Sequence, residues 1–214
     1  MILDLHVHSV YSGDSPVTPE EYAEKMNELR TEYMVDGFAL MEHNTIASAE
    51  CDLSSLSKKH DLVILAGVEA DTMWGHVLAY GMTPELWKKM SGEPNRKIEP
   101  ISFAEKALEN GVLLVPSHPF RGWIGLGARC ADLPGIKAVE GLNGSDSDQE
   151  NMAAMSLAKK LGISATGGSD AHFLPELGSG LTVFESDIRT MDDLVREISA
   201  GRCRPAKLEE ARLR

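Results

Sequence analysis

Asp4-Leu5-His6-Val7-His8-Ser9 is the stretch of sequence that most restricts the fold, and it continues through a Ser/Gly/Asp loop to Asp14. Its apolar positions indicate a short buried strand, on which His6 and His8 point to the same face because they are two residues apart. A single histidine in such a place is usually a hydrogen-bonded core residue. Two imidazoles on one face, followed by a carboxylate, are typical of a metal site. The stretch therefore predicts a metal centre that begins at the end of a strand.

Composition and charge limit the classes of protein to consider. A chain of 214 residues suits one domain, and a formal net charge of −12 argues against a general nucleic-acid-binding surface. A phosphorylated substrate is still compatible, because bound divalent ions reverse the potential inside a pocket. The three scattered cysteines suit a reducing compartment, and neither a membrane span nor a signal peptide is visible. We expect a cytoplasmic protein without membrane contact; its oligomeric state is not predicted.

Apolar strand-like segments alternate with helix signals along the whole chain. A helix is predicted to begin at Thr18-Pro19-Glu20-Glu21, and another covers residues 148–161. The segment from His76 to Gly81 is strand-like as well and could form a hairpin with the strand before it. Without that segment, seven strands are predicted, at residues 2–7, 37–41, 62–68, 112–115, 136–139, 163–166 and 181–184. This order favours an α/β fold with a parallel, distorted seven-stranded β/α (TIM-like) barrel over an open doubly wound sheet.

The remaining segments complete a single domain over residues 1–214. Residues 82–100 are rich in Pro, Lys and Glu and are predicted to be a surface insertion. Residues 203–214 are rich in Lys, Arg and Glu and are predicted to be a solvated C-terminal tail. The Gly-rich stretch 121–135 is longer than a minimal turn, and loops of that length are often functional.

Metal-binding residue types collect at the predicted strand ends. In a parallel barrel the carboxyl ends of all strands meet at one edge, where active sites lie. Six of the seven histidines, all except His60, are expected at that edge, together with Glu69 and Asp170. Core histidines at unrelated places would not be expected to share one edge. The sequence therefore predicts one metal-binding mouth.

Five short motifs together resemble the PHP (polymerase and histidinol phosphatase) family of metal-dependent phosphoesterases. They are Asp4-Leu5-His6-Val7-His8-Ser9, Met41-Glu42-His43-Asn44, Gly67-Val68-Glu69 with Gly75-His76-Val77, Ser117-His118-Pro119 and Gly168-Ser169-Asp170-Ala171-His172. The resemblance covers nearly the whole chain and implies a barrel of the PHP type with a trinuclear metal site. One departure is Glu42, because the family more often has Asp before this histidine.

The resemblance also implies how the ligands are divided among three divalent ions. His6, His8, Glu69 and Asp170 would hold the first ion. A bridging Glu69 with His76 and His118 would hold the second, and Asp14, His43 and His172 would hold the third. Mixed imidazole and carboxylate ligands suit Zn, Mn or Fe, whereas an all-oxygen set would suit Mg or Ca.

The expected reaction is hydrolysis of a small phosphomonoester or nucleotide by attack of a metal-bound hydroxide. Arg121 and Arg129, in the Gly-rich loop, and Asn143, after the fifth strand, are the candidate contacts to the phosphate. Their alternatives are solvated surface arginines and a turn asparagine. His172 or Asp170 is the candidate for moving a proton to the leaving oxygen. Arg121, Asp170 and His172 are thus the predicted catalytic residues.

Two other functions are compatible with the same ligand types. One is hydrolysis of a non-phosphate bond, as in amidohydrolases, which usually carry a metal-bridging lysine at a strand end; no Lys ends a predicted barrel strand here. The other is a regulatory metal-binding module without turnover. Degeneration of that kind normally removes ligands, and every expected ligand position is filled.

Overall fold

The computed structural model describes residues 1–92 and 96–212. Strands and helices alternate along this part of the chain. Its strands are β1 (Ile2–Val7), β2 (Gly37–His43), β3 (Val63–Thr72), β4 (Gly75–Tyr80), β5 (Leu113–Pro116), β6 (Ala138–Asn143), β7 (Ser164–Gly168), β8 (Leu181–Phe184) and β9 (Cys203–Ala206). Its α-helices are α1 (Pro19–Leu29), α2 (Leu53–His60), α3 (Pro84–Met90), α4 (Pro100–Glu109), α5 (Asp148–Leu161) and α6 (Met191–Ser199).

Most strands belong to one curled sheet in the order β5-β4-β3-β2-β1-β8-β9, while β6 and β7 pair separately. The end of β7 reaches β1 through two hydrogen bonds: the His8 N–H donates to the Ala171 carbonyl (2.9 Å) and the Asp170 N–H donates to the His6 carbonyl (2.7 Å). Gly168 permits this approach, since a Cβ there would lie 2.4 Å from the Cβ of His6. The predicted distorted seven-stranded β/α (TIM-like) barrel is confirmed at the level of fold class.

The strands are not all parallel, which corrects one expectation. β1, β2 and β3 are parallel, but β4 is antiparallel to both β3 and β5, and β8 is antiparallel to β1. The short turn between β3 and β4 explains the first reversal, because a parallel connection needs a crossover of a dozen or more residues. The hairpin anticipated for His76 to Gly81 is therefore present as β3–β4.

The C-terminal segment is structured rather than a solvated tail. β9 pairs with β8 along four residues, and Ala211 is fully buried beyond it. Pro205 lies within this strand, which is at the edge of the sheet, where a residue without an N–H is tolerated. Residues 213–214 of the predicted tail lie outside the described residues.

The helix caps agree with local sequence signals. Thr18 caps α1 with a capping box and Pro19 in the first turn, as expected. The cap of α4 is Glu99, whose carboxylate accepts two backbone N–H groups. The predicted surface insertion contains α3, while its residues 93–95 lie outside the described part. No helix within residues 1–92 and 96–212 combines the length and apolar character needed to cross a membrane.

Apolar side chains fill both sides of the sheet. Alternate residues of β1, such as Leu3 and Leu5, pack with Tyr80 in one cluster of buried residues. Tyr22 of α1 and Phe38 of β2 pack in a second cluster, with their ring centroids 6.1 Å apart. β1 is thus buried along its whole length, so His6 is held in a packed environment at the end of this strand.

Candidate metal centre

Six histidines gather at one end of the barrel, and we call this set the histidine cluster. Its members are His6, His8, His43, His76, His118 and His172. The ring of His8 stacks between those of His43 and His172, with centroid separations of 4.4 and 4.3 Å. His60 lies elsewhere, where its Nε2 is 2.8 Å from a carboxylate oxygen of Glu20.

Glu69 lies at the centre of the histidine cluster and is fully buried. The register of β2 and β3 places it directly opposite His43. Its two carboxylate oxygens face different histidines. Oε2 is 3.1 Å from His43 Nδ1, 3.3 Å from His8 Nε2 and 3.4 Å from His6 Nε2, whereas Oε1 is 3.0 Å from His118 Nε2 and 3.3 Å from His76 Nδ1. One carboxylate can therefore serve two neighbouring positions.

Glu69 and Asp170 are the two buried carboxylates that contact both His6 and His8, and nearby positive charge lowers the pKa of each. Burial by itself would raise the pKa of Glu69, but the charge of His6 and a hydrogen bond from His118 hold it well below its ordinary value. Burial opposes ionisation of Asp170 too, and the charge of His6 with a hydrogen bond from His8 lowers its pKa. Both side chains are anions at neutral pH, which is the form that binds a cation.

Three groups of side chains bring their ligand atoms within 4.8 Å of one another. They are His6, His8, Glu69 and Asp170; His8, Asp14, His43 and His172; and His43, Glu69 and His76. The first group has the same members as the first predicted ligand set. The second adds His8 to its predicted set. The third contains His43 where His118 was expected, although His118 still contacts Glu69.

Several buried polar atoms of the cluster have no hydrogen-bond partner in the described part of the chain. They include Glu69 Oε2 and His76 Nδ1, which both face the cluster. The Nε2 atoms of His6 and His8 lie only 2.9 Å apart. Buried polar atoms are rarely left unpaired, because each costs free energy comparable to a lost hydrogen bond. The donor set and its unpaired atoms fit divalent metal ions.

Arg121 and Asn143 join the cluster through Asp170. The guanidinium donates to the carboxylates of Asp170 (2.6 Å) and Asp146 (2.5 Å) and to the side-chain carbonyl of Asn143 (2.7 Å). Arg129 is not brought to this network. Its side chain is exposed and its guanidinium carbon lies 5.7 Å from the ring centroid of Trp74.

Glu42 binds the loop after β1 instead of orienting the neighbouring His43. Its two oxygens accept from the backbone N–H (2.9 Å) and the hydroxyl (2.6 Å) of Ser9. The hydroxyl of Ser12 in the same loop accepts from the His43 N–H (2.8 Å) and lies 3.0 Å from His8 Nδ1. The longer Glu42 side chain is thus used to fix the loop that carries Asp14.

Sequence reasoning missed a further buried carboxylate, Glu140 in β6. It lies 2.9 Å from His6 Nδ1 and accepts from the His118 backbone N–H (2.7 Å) and the Asn143 side-chain amide (2.9 Å). A usable signal was present, since Glu140 directly follows the predicted strand 136–139. The same position after a predicted strand had identified Glu69.

Comparisons with known proteins bear on the fold and the family. The model of the PHP-associated family, PHP_C, matches residues 148–203. A search of curated proteins finds no significant match. A solved structure of a two-domain protein from Bacteroides vulgatus, which contains a predicted PHP-like metal-dependent phosphoesterase, has a TM-score of 0.66 at 17% identity, covering 98% of this chain and 65% of that one. The resemblance to the PHP family is confirmed.

Two further solved structures share the fold. Endonuclease Q from Pyrococcus furiosus, a lesion-specific endonuclease, has a TM-score of 0.66 at 21% identity, over 96% of this chain and 58% of that one. An amidohydrolase from Chromobacterium violaceum, with bound sulfate and no metal, has a TM-score of 0.62 at 17% identity, over 79% of this chain and 87% of that one. This chain therefore spans less than two thirds of two of these three proteins.

Proposed function

Because the chain has the PHP fold, we propose that it is a metal-dependent phosphoric ester hydrolase acting on a small phosphomonoester or nucleotide. The proposal rests on the position of Glu69. Each of its two carboxylate oxygens faces a different set of imidazoles. A carboxylate in this position can bridge two adjacent cations, as in two-metal phosphoryl transfer. Its low pKa and its unpaired Oε2 both favour that role.

We assign three ions to the histidine cluster. His6, His8, Glu69 and Asp170 would hold the first ion, Glu69, His76 and His118 the second, and Asp14, His43 and His172 the third. His43 presents Nδ1 to Glu69 (3.1 Å) and Nε2 to Asp14 (3.3 Å), so a rotation of its ring decides which neighbour it serves. Imidazole and carboxylate donors favour Zn, Mn or Fe. When bound, such ions would stabilise charge on the phosphoryl oxygens and lower the pKa of a bound water to about 7.

Arg121 would orient the substrate phosphate while it fixes Asp170. A guanidinium has five N–H donors, and contacts to Asp146, Asp170 and Asn143 use three of them, which leaves two. The side chain is about a quarter exposed, so these two can reach a bound phosphate. Asn143 is nearly fully buried and acts by holding Arg121. Arg129 could contact only a part of the substrate outside the cluster.

Of the two predicted proton carriers His172 is the better candidate, and it would act only while its Nε2 does not hold the third ion. The lowered pKa of Asp170 keeps that carboxyl deprotonated at neutral pH. His172 is about a quarter exposed, and its Nδ1 lies 3.0 Å from the Asp170 carbonyl oxygen, an acceptor. That contact places the proton on Nδ1 and directs Nε2 towards Asp14 (3.2 Å) and the opening of the site.

A second candidate is cleavage within a nucleic acid, since endonuclease Q has a solved complex with a 27-mer duplex. The net charge of −12 favours the small substrate, because a nucleic-acid surface gains affinity from Lys and Arg. An amidohydrolase activity is the third candidate, in view of the similar structure from Chromobacterium violaceum. A metal-bridging lysine would be buried at a strand end, and no lysine of the described residues is buried.

A substrate panel with metal analysis separates these functions. The purified protein would be loaded with Mn or Zn and assayed on sugar phosphates, histidinol phosphate, mononucleotides, oligonucleotides and amides. We expect phosphate release from small phosphate esters and tight binding of divalent metal. Preferential cleavage of oligonucleotides or amides would replace the proposed substrate, and metal binding without any turnover would indicate a regulatory module.

A further inference from the structure

Glu140 connects three parts of the candidate metal centre although it belongs to none of the three ligand groups. The side chain is 1% exposed and sits on β6, which pairs with β7 rather than with the main sheet. One oxygen faces the His6 ring, while the other accepts from the His118 backbone and from Asn143. The His118 N–H and the Asn143 amide donate to this carboxylate, and the His6 ring nitrogen faces its other oxygen.

The contact with His6 fixes the tautomer of that ring. A carboxylate 2.9 Å from Nδ1 keeps a proton on Nδ1, so a ring that gives up its other proton to bind a cation presents the lone pair of Nε2. Nε2 is the atom that faces His8 Nε2 (2.9 Å), Glu69 (3.4 Å) and Asp170 (3.5 Å). Without an acceptor at Nδ1, the ring could carry its proton on Nε2 and present no lone pair to a cation.

The contact with His118 holds a strained backbone. His118 has φ of 30°, a conformation that side-chain-bearing residues seldom adopt. Its N–H donates to Glu140 at 2.7 Å, and its Nε2 lies 3.0 Å from Glu69. Strained residues persist where surrounding contacts determine them, and this hydrogen bond is one such contact.

We propose that Glu140 is a positioning residue that sets the tautomer of His6 and the backbone of His118, so that both present Nε2 to metal ions. The proposal rests on the proposed metal-dependent function. Carboxylates that accept from the distal nitrogen of a ligating imidazole orient the ring and raise its basicity, and their loss costs 10–100-fold in affinity or activity. Glu140 itself would contact neither the substrate nor the ions.

The test compares Glu140→Gln with Glu197→Gln. Both change a buried glutamate (1% and 3% exposed) to an amide of the same size, but Glu197 on α6 pairs with Arg202 away from the histidine cluster. Binding of Mn and Zn is titrated in each purified protein, and Tm is measured with chelator and with metal. We expect Glu140→Gln to bind metal about 10–100-fold more weakly. Its metal-induced rise in Tm should be smaller than that of the wild type, whereas Glu197→Gln should keep the whole rise.

A structural role for Glu140 would lower Tm equally with and without metal, and metal affinity within about twofold of wild type would overturn the proposal. Wild-type protein that binds no metal would overturn the proposed function as well, so the two failures are distinguishable. If Glu140→Gln does not fold, the tautomer of His6 can still be measured in the wild-type protein. Nitrogen NMR of zinc-loaded protein, with the His6 signal assigned by its absence in His6→Asn, should show the proton on Nδ1. A proton on Nε2 would overturn the proposal.

Discussion

The histidine cluster and the closing flank of the barrel, which consists of β8, β9 and α6, both bury ionisable groups but satisfy them differently. In the flank, Glu197 receives two hydrogen bonds from Arg202 (2.7 and 2.8 Å) and one from Arg196 (3.2 Å). In the cluster, Glu69 Oε2 and His76 Nδ1 have no hydrogen-bond partner among the described residues. A buried charge with complete partners stabilises the fold, whereas buried donors that converge without partners indicate a ligand.

Backbone conformation shows the same difference. Asn44, His118 and Asp170 have positive φ, and all three lie beside or within the cluster. Asp61, in the left-handed conformation, caps α2 at its C-terminus and has an ordinary structural reason. Within the described residues, β8, α6 and β9 contain no non-glycine residue with positive φ. Strain is therefore concentrated where ligand atoms must converge.

The largest effect is expected from Asp170→Asn. Asn tolerates the φ of 58° at this position, so the backbone should be retained, but the side chain loses its charge. Because Asp170 contacts His8 (3.2 Å) and Arg121 (2.6 Å), we expect loss of metal from the first site and a fall in kcat/KM of roughly 10³-fold or more. Metal content and steady-state hydrolysis check this prediction. Undiminished turnover with full metal content would exclude Asp170 as a ligand.

Removal of metal should have the next largest effect, a fall in Tm that depends on the ligands of the histidine cluster. An ion that binds the folded state stabilises it by about 4 kcal/mol at a free concentration 1,000 times its dissociation constant. We expect Mn or Zn to raise Tm by several degrees and chelator to reverse the rise. Asp170→Asn should reduce the rise and Glu197→Gln should not. Equal Tm values for wild-type protein with and without metal would contradict the proposed centre.

Much of the cluster was predictable because it depends on strand ends. His43 ends β2 and Asp170 comes two residues after β7, and the barrel brings such ends together whatever the helices between them do. Glu69 was placed at a strand end by the prediction but lies within β3, three residues before Thr72. The division among ions was less predictable. His43 has both nitrogens near carboxylates, so its allocation depends on a ring angle that sequence spacing does not determine.

The closing flank was less predictable than the cluster. Cys203-Arg204-Pro205-Ala206 shows no alternation of apolar and polar residues, and it forms a strand only because β8 offers a free edge. The role of Glu140 depends on β6 pairing with β7 beside His6, a long-range contact. Arg129 was placed at the phosphate because its loop follows His118, yet it extends over Trp74 instead.

The smallest predicted effect is a pH dependence of stability that comes from Glu197 in the closing flank. Hydrogen bonds from Arg202 lower the pKa of Glu197 from 4.5 to about 2. A lowered pKa stabilises the folded state above the unfolded pKa, and that contribution disappears as pH falls through the folded value. Glu197→Gln should therefore lower the free energy of unfolding at pH 7, and its difference from wild type should shrink between about pH 4.5 and pH 2.

Urea unfolding at pH 7 and at about pH 3.5, in the presence of chelator, measures this difference. Ile198→Val is a suitable control, because Ile198 is fully buried beside Glu197 and the change involves no titrating group. Its destabilisation should be the same at both pH values. If the Glu197→Gln difference also stays constant with pH, the ion pair with Arg202 does not stabilise the flank. The contrast between a satisfied flank and an unsatisfied cluster would then rest on the cluster alone.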